Sequence, residues 1–185
     1  IDGDAELEAL PFMPEMLKYC GQRMVVHKAA HKLCDTTSGK GGLRWLNNAV
    51  HLKGARCDGA AHGGCQTGCS LYWKEAWLRR VEPGEGLPQS VPAAPGPDPG
   101  VSRLYKATRK EPFPDGSERY SCQATEILRA APSRIRAFHL DQYIADIRSG
   151  NASLLEVLRT LLVHVFNVYQ GWSARHLPRW LLIGE

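Results

Sequence analysis

The sequence predicts a mixed α+β protein in which a small antiparallel SH3-like β-barrel or curled sheet carries a cysteine-rich loop. Three observations predict this class. Short stretches that are partly β-branched, with turn signals between them, occupy the first half of the chain. A segment rich in proline and glycine interrupts the chain after them. Apolar residues at helical spacing then recur near the C-terminal end.

The proline-rich segment predicts the domain organisation. Residues 82–100 hold half of the 12 prolines and almost no side chain suited to a core, so we expect an extended, solvated linker. Residues 1–81 are then a β-rich domain with the cysteine loop. Residues 101–185 are a hairpin followed by a helical C-terminal part.

Within the first domain, residues 24–27 and 50–52 predict short strands, and the glycine-rich residues 38–42 predict a turn between them. Residues 71–81 show both helical and strand spacing. Their aromatic content favours a strand, alone or after a short helical turn.

In the second part, residues 104–120 predict a hairpin around a turn at 114–117. Two helices follow, the first over 140–148 and the second from an Asn151 cap to about residue 170. The second helix carries charged residues in its middle. It therefore predicts a buried helix and no membrane span.

Composition excludes some functional classes. The formal net charge is +4, and the basic residues form no stripe, so a nucleic-acid partner is not expected. The chain shows no signal-peptide pattern, and its 43% hydrophobic content suffices for a core without disulfides. We expect a cytoplasmic protein with reduced cysteines. Composition does not define the oligomeric state.

Three of the six cysteines lie in a loop dense in glycine, GARCDGAAHGGCQTGCS. Cys57, Cys65 and Cys69 offer thiolates there, and His62 offers an imidazole. Thiolates are soft donors suited to zinc and iron–sulfur clusters, and glycine lets a backbone wrap closely around a metal. A polar glycine-rich loop is a poor place to bury three cysteines as apolar residues. The loop therefore predicts a metal centre.

Three thiolates from one loop need a fourth ligand. Cys122 is the preferred residue, since it follows a strand-like stretch and would join the two parts of the chain; His62 is the alternative. The C-x7-C-x3-C spacing matches neither the C-x2-C pairs of zinc ribbons nor the bacterial ferredoxin pattern. Because zinc sites more often use paired short spacings, an iron–sulfur cluster, most simply 4Fe-4S, is favoured slightly over zinc.

Three charged residues are candidates for acid–base chemistry. Glu126 lies four residues after Cys122, within reach of the predicted centre. Lys74 and Glu75 lie between two tryptophans, where aromatic neighbours desolvate a charged pair and shift its pKa. A half-buried structural segment is the competing interpretation. Glu15 is interpreted as a residue that opens a short helix.

The chain contains four distinctive motifs, PFMPEMLKYCG, HKLCDT, VHLKGARCDGAAHGGCQTGCSLYWKEAWLRRV and YSCQATEI. They resemble a family of uncharacterised bacterial proteins encoded near polysaccharide or specialised-metabolite biosynthesis genes, over roughly residues 11–81 and 118–150. The resemblance implies a bacterial, cytoplasmic setting and assigns no activity. Among the cysteines of these motifs, the resemblance singles out Cys20, Cys57, Cys65, Cys69 and Cys122.

Together these features predict an iron–sulfur protein of bacterial small-molecule biosynthesis. Its cluster would act on a small-molecule substrate as an open-site Lewis acid, or pass electrons to a redox partner. The alternative is a zinc-stabilised β module that binds a protein or nucleic-acid partner through Trp73, Trp77 and Arg79–Arg80. A metal-free scaffold subunit is the third hypothesis.

Overall fold

The chain folds into small antiparallel sheets with helices between and after them. The structure is a computed structural model, and it describes residues 3–36, 38–39, 41–82, 98–136 and 139–176. Two units are distinguished, residues 1–138 and residues 139–185. Most of the predicted linker, residues 83–97, lies outside the described residues. Strands and helices from both sides of it belong to the first unit.

The described residues contain ten strands: β1 (Glu6–Leu7), β2 (Leu10–Pro11), β3 (Val26–Ala29), β4 (Lys32–Cys34), β5 (Leu43–Trp45), β6 (Ala49–Arg56), β7 (Ser70–Lys74), β8 (Arg109–Lys110), β9 (Arg119–Tyr120) and β10 (Arg134–Ile135). They also contain four α-helices: α1 (Pro99–Thr108), α2 (Gln123–Ala130), α3 (Asp141–Arg148) and α4 (Leu154–His176). Two short 3₁₀ helices span Pro14–Tyr19 and Glu75–Trp77.

The strands form four separate antiparallel sheets, in the orders β3-β6-β7, β10-β5-β4, β1-β2 and β8-β9. Among the described strands no sheet closes into a barrel, so the mixed α+β class is confirmed and the SH3-like barrel is not. The physical reason is strand length. Most strands have two to five residues, too few to curl around and meet.

The longest strand, β6, supplies the centre of the main core. Val50, Leu52 and Ala55 on this strand are buried with Trp73 of β7. The ring of Phe12 meets the ring of Trp73 edge-on at 5.9 Å between centroids. Such aromatic contacts add to the free energy gained from burial alone. They fix the N-terminal segment against the sheet.

The predicted hairpin over residues 104–120 is wrong in its first half, where helix α1 forms. Only its second half forms paired strands, β8 and β9; residues 99–108 are helical. Asp98 caps the helix by accepting a hydrogen bond from the Gly100 amide at 2.7 Å, and Pro99 suits the first turn. Leu104 and Thr108 are buried one turn apart. This helical burial outweighs the strand signal of Tyr105, Phe113 and Tyr120, the aromatic residues that flank the predicted turn.

The predicted strand at residues 71–81 is confirmed for its first part, since β7 ends at Lys74 and a 3₁₀ turn follows. Both C-terminal helices are confirmed as α3 and α4, although α4 begins at Leu154 and runs to His176. The expectation that α4 is buried is wrong, because most of its apolar side chains are exposed. Among the described helices, none is long and apolar enough to cross a membrane.

A buried amide side chain fixes α2 against the sheet. Gln123 accepts a hydrogen bond from the Tyr72 amide at 2.9 Å and donates to the carbonyl oxygens of Tyr72 and Pro11, at 2.8 and 3.0 Å. Its own backbone amide donates to Met13 Sδ at 3.1 Å. The first turn of α2 is therefore tied to both β7 and the N-terminal segment.

We expect Gln123→Ala to lower the free energy of unfolding by about 3 kcal/mol, because it leaves buried backbone groups of Tyr72 and Pro11 without partners. Urea unfolding followed by tryptophan fluorescence measures this loss. Gln66→Ala is the control, since Gln66 is exposed and bonds only within its own loop; its effect should stay within about 0.5 kcal/mol. Equal effects of the two variants would contradict the anchoring role of Gln123.

A second set of hydrogen bonds, centred on Asp35, connects the loop that follows β4 with both β5 and the end of α2. The Asp35 carboxylate accepts hydrogen bonds from the Ser38 hydroxyl at 2.7 Å, the Ser38 amide at 2.9 Å and Arg44 Nε at 2.8 Å. Arg44 also donates to the carbonyl oxygen of Ala131 at 3.2 Å. The bonds from Ser38, followed by that from Arg44, hold the pKa of Asp35 far below its usual value.

This lowered pKa predicts a dependence of stability on pH. Unfolded Asp35 takes up a proton near pH 4, well before the folded carboxylate does, so acid favours the unfolded chain. The contribution of Asp35 is thus complete at neutral pH and is lost as the pH falls below about 4. Asp35→Asn should be less stable than wild type at neutral pH, and urea titrations at decreasing pH should show the gap closing. A gap that stays constant would overturn this role.

Candidate metal centre

Two side chains of the glycine-rich loop meet a third side chain from a distant part of the sequence. They are Glu15, Cys57 and His62, and one donor atom from each lies within 4.8 Å of the other two. The donors are a carboxylate oxygen, a thiol sulfur and an imidazole nitrogen. This combination and spacing are suited to a metal ion.

Glu15 lies in the 3₁₀ helix that Pro14 opens, and its side chain is almost wholly buried. The Oε1 atom lies 2.9 Å from His62 Nε2 and accepts a hydrogen bond from the Ala61 amide at 3.3 Å. Burial works to raise the pKa of Glu15, but the contact with His62 and the backbone amides lowers it by more. The carboxylate is therefore held ionised in a buried place.

Glu15 and His62 each have a buried polar atom that is available to a ligand. Glu15 Oε2 is buried and accepts no hydrogen bond from the described residues, and His62 Nε2 makes no well-aligned hydrogen bond among them either. Buried polar atoms without partners are costly and uncommon in folded proteins. A metal ion bound between the two side chains would satisfy both.

Cys57 follows β6 and completes the group. Its sulfur lies 3.8 Å from Glu15 Oε1 and accepts a hydrogen bond from the Gly59 amide at 3.4 Å. Burial, followed by the negative charges of Glu15 and Cys122, raises the pKa of the Cys57 thiol to about 11, against the lowering effect of the Gly59 amide. A divalent cation would offset these negative charges and replace the thiol proton.

Glycine geometry folds the loop over this group. The Cys57 amide donates to the Cys69 carbonyl at 2.9 Å, so the loop leaves and rejoins the sheet at neighbouring positions. Gly59 has a φ of +75°, and a Cβ there would lie 2.0 Å from the Cys65 carbonyl oxygen. Its own carbonyl accepts bonds from the amides of His62 and Gly64, at 3.0 Å each. Only glycine fits this position.

Strand β9 connects the glycine-rich loop with the segment that leads to Cys122. The Tyr120 amide donates to the Ala61 carbonyl at 3.2 Å, and Arg119 pairs with His62 as an isolated bridge. Cys122 follows two residues after Tyr120 and is the N-cap residue of α2.

The surroundings of Cys122 raise the pKa of its thiol. Burial is the main cause that raises the pKa of Cys122, and the negative charges of Cys69 and Glu15 add to it. The backbone amides of Ala124 and Thr125 act in the opposite direction. Cys122 thus interacts electrostatically with Cys57, Cys69 and Glu15, whereas the donor atoms that meet within 4.8 Å among the described residues are those of Glu15, Cys57 and His62.

The structure places the remaining predicted ligand differently. Cys65 is exposed on the loop, and its sulfur lies 3.2 Å from the Thr67 hydroxyl. That contact and the Thr67 amide lower the pKa of the Cys65 thiol. The described contacts thus join Cys57 and His62 to Glu15, whereas Cys65 contacts the loop surface.

Two of the three acid–base candidates, Lys74 and Glu126, have structural partners. Lys74 is buried, and its Nζ donates to Glu8 Oε2 at 2.6 Å and to the Asn47 carbonyl at 2.8 Å. Glu75 is exposed at the start of the 3₁₀ turn. Glu126 forms an ion pair with Arg129 at 2.8 Å. None of them belongs to the group formed by Glu15, Cys57 and His62.

Glu15 is the member of the group that the sequence analysis assigned to a structural role. A signal for it is present in the sequence, since Glu15 lies among apolar residues that the structure buries, Phe12, Met13 and Met16. A carboxylate inside an apolar segment is rarely buried without a partner. That rule would have identified Glu15 as a ligand candidate.

Comparisons with known proteins give no further assignment. No model of a protein family matches the chain, and no curated protein or solved structure matches it significantly.

The loop geometry predicts a difference between two glycine substitutions. Gly59→Ala should prevent the loop from closing, because its Cβ would overlap the Cys65 carbonyl. Gly64→Ala is the matched control, since Gly64 also has a positive φ, +72°, but no atom lies within 4 Å of its Cβ position. We expect about 1–2 kcal/mol of destabilisation from the control and a clearly larger loss from Gly59→Ala. Similar losses in urea unfolding would contradict the close packing of Gly59 on Cys65.

Proposed function

We propose that this protein is a metalloprotein in which Glu15, Cys57 and His62 bind one zinc ion. The observation that supports this most is the convergence within 4.8 Å of three different donors, one buried and two partly buried. Glu15 and Cys57 are 42 residues apart in the sequence, so local chain geometry does not account for their proximity. A bound cation gives each buried group a partner.

The donor set favours zinc among common ions. Zinc binds thiolate, imidazole and carboxylate ligands and imposes little geometric preference of its own. Magnesium and calcium prefer oxygen ligands and bind sulfur poorly. The ionised Glu15 and Cys57 together carry two negative charges, which balance a divalent ion.

Cys122 is the proposed fourth ligand. Residues adjacent to it contact the residues around the centre, since Gln123 bonds to Met13 Sδ and Tyr120 bonds to Ala61. Four protein ligands are typical of structural zinc sites, whereas catalytic sites keep one position for water. The ion would tie together the N-terminal 3₁₀ helix, the glycine-rich loop and α2. The protein is then a zinc-stabilised α+β module.

An iron–sulfur cluster is the second candidate. Its support is the shared neighbourhood of three thiols, Cys57, Cys69 and Cys122, whose charges raise the pKa values of Cys57 and Cys122. Three thiolates leave one iron of a 4Fe-4S cluster open to a small-molecule substrate. This arrangement would make the protein an enzyme and retain the function predicted from sequence.

Metal analysis of protein purified without oxygen distinguishes the two candidates. We expect colourless protein with one zinc per chain and no sulfide. Glu15→Gln, Cys57→Ser and His62→Gln should each weaken zinc binding beyond the ~10–100-fold that loss of an outer-shell partner causes. A chelator should lower the unfolding temperature of wild type, because structural zinc contributes directly to folding.

Cys65→Ser is the matched control, since Cys65 lies in the same loop but is exposed. It should retain the zinc content and stability of wild type. Brown protein with iron and sulfide, lost in Cys57→Ser, would establish the cluster instead. Protein that holds neither metal under these conditions would overturn both candidates.

A further inference from the structure

Helix α4 carries an apolar seam that recurs at coiled-coil spacing. The seam residues are separated alternately by four and three positions: Leu154, Leu158, Leu161, Val165, Val168 and Trp172. A second row flanks the seam at intervals of seven: Leu155, Leu162 and Tyr169. Alternation of three and four residues keeps one stripe facing a partner helix over many turns.

The seam is exposed to solvent. Eight of these nine side chains are 48–76% exposed, and Leu161 is half-buried. The opposite face of the helix carries Glu156, Arg159, Asn167 and Gln170, together with two exposed apolar side chains, Val163 and Phe166. A single chain rarely leaves a continuous apolar patch of this size uncovered unless the patch contacts a partner.

We propose that the seam of α4 binds the same seam of a second copy of this chain, so that the protein is a homodimer in solution. Each exposed side chain presents on the order of 100 Å² of surface. The eight together offer roughly 800 Å², which matches the ~800 Å² that each partner buries in a stable interface. One two-fold axis makes this patch self-complementary, so each copy buries its own seam without a second kind of surface.

The charge of the helix argues against a lipid surface as the occupant. Helices that lie on membranes carry several Lys or Arg residues on the polar face to attract anionic lipids. In α4 the charged residues are Arg159, Arg175 and Glu156, which leave a net charge of only +1 with neutral histidines. A second apolar helix satisfies the seam without such attraction. This proposal is independent of the metal centre.

Two glutamate substitutions test the proposal in the full chain. Val165→Glu places a charge in the middle of the seam, whereas Val163→Glu places it roughly 200° around the helix. Both valines are exposed, at 64% and 51%, so neither change disturbs a buried core. Sedimentation equilibrium at micromolar concentrations measures the state of each variant, and far-UV circular dichroism checks that each remains folded.

We expect wild type and Val163→Glu to sediment as dimers and Val165→Glu to show about a tenfold or greater rise in the dimer dissociation constant. Monomeric wild type, or equal dissociation constants for the two variants, would overturn the proposal. Vesicles of phosphatidylcholine and phosphatidylglycerol give a further readout. If monomeric wild type binds them and Val165→Glu alone does not, the seam belongs to a lipid surface and the dimer is excluded.

Discussion

The hydrogen bonds of the Gln123 side chain are the constraint on which the arrangement of the first unit depends. One buried amide accepts from the Tyr72 amide and donates to the carbonyl oxygens of Tyr72 and Pro11. A shift of α2 along β7 would leave several buried groups without partners, which costs more than most surface contacts contribute. Because Cys122 directly precedes this residue, the same bonds set where its thiol lies.

The candidate centre brings together polar and ionisable side chains that are costly to bury. Glu15 and His62 are buried with polar atoms that lack aligned partners, and the Cys57 thiol is desolvated beside the carboxylate. Burial of such groups opposes folding unless a partner compensates for lost hydration. A divalent cation supplies that compensation for all three at once. The electrostatics of the site and its donor chemistry therefore lead to the same proposal.

Local sequence patterns predicted the features that local interactions control. Strands β6 and β7, helices α3 and α4, and the glycine-rich loop all follow from residue spacing and turn residues. Helix α1 was not predicted, although Asp98 and Pro99 are start signals for a helix. The aromatic residues Tyr105, Phe113 and Tyr120, which flank the predicted turn, outweighed them. The closed barrel was not confirmed, since most of the described strands are too short to curl around and meet.

The sequence by itself determined the chemistry available to this protein: soft thiolate donors, an imidazole in the same loop, and glycines that let the backbone close around a site. Only the tertiary structure decided which donors meet. It joined Glu15 to Cys57 and His62 and left Cys65 at the surface. The reason is physical. Donors from separate segments converge through long-range packing and buried hydrogen bonds, and no spacing within one segment encodes that convergence.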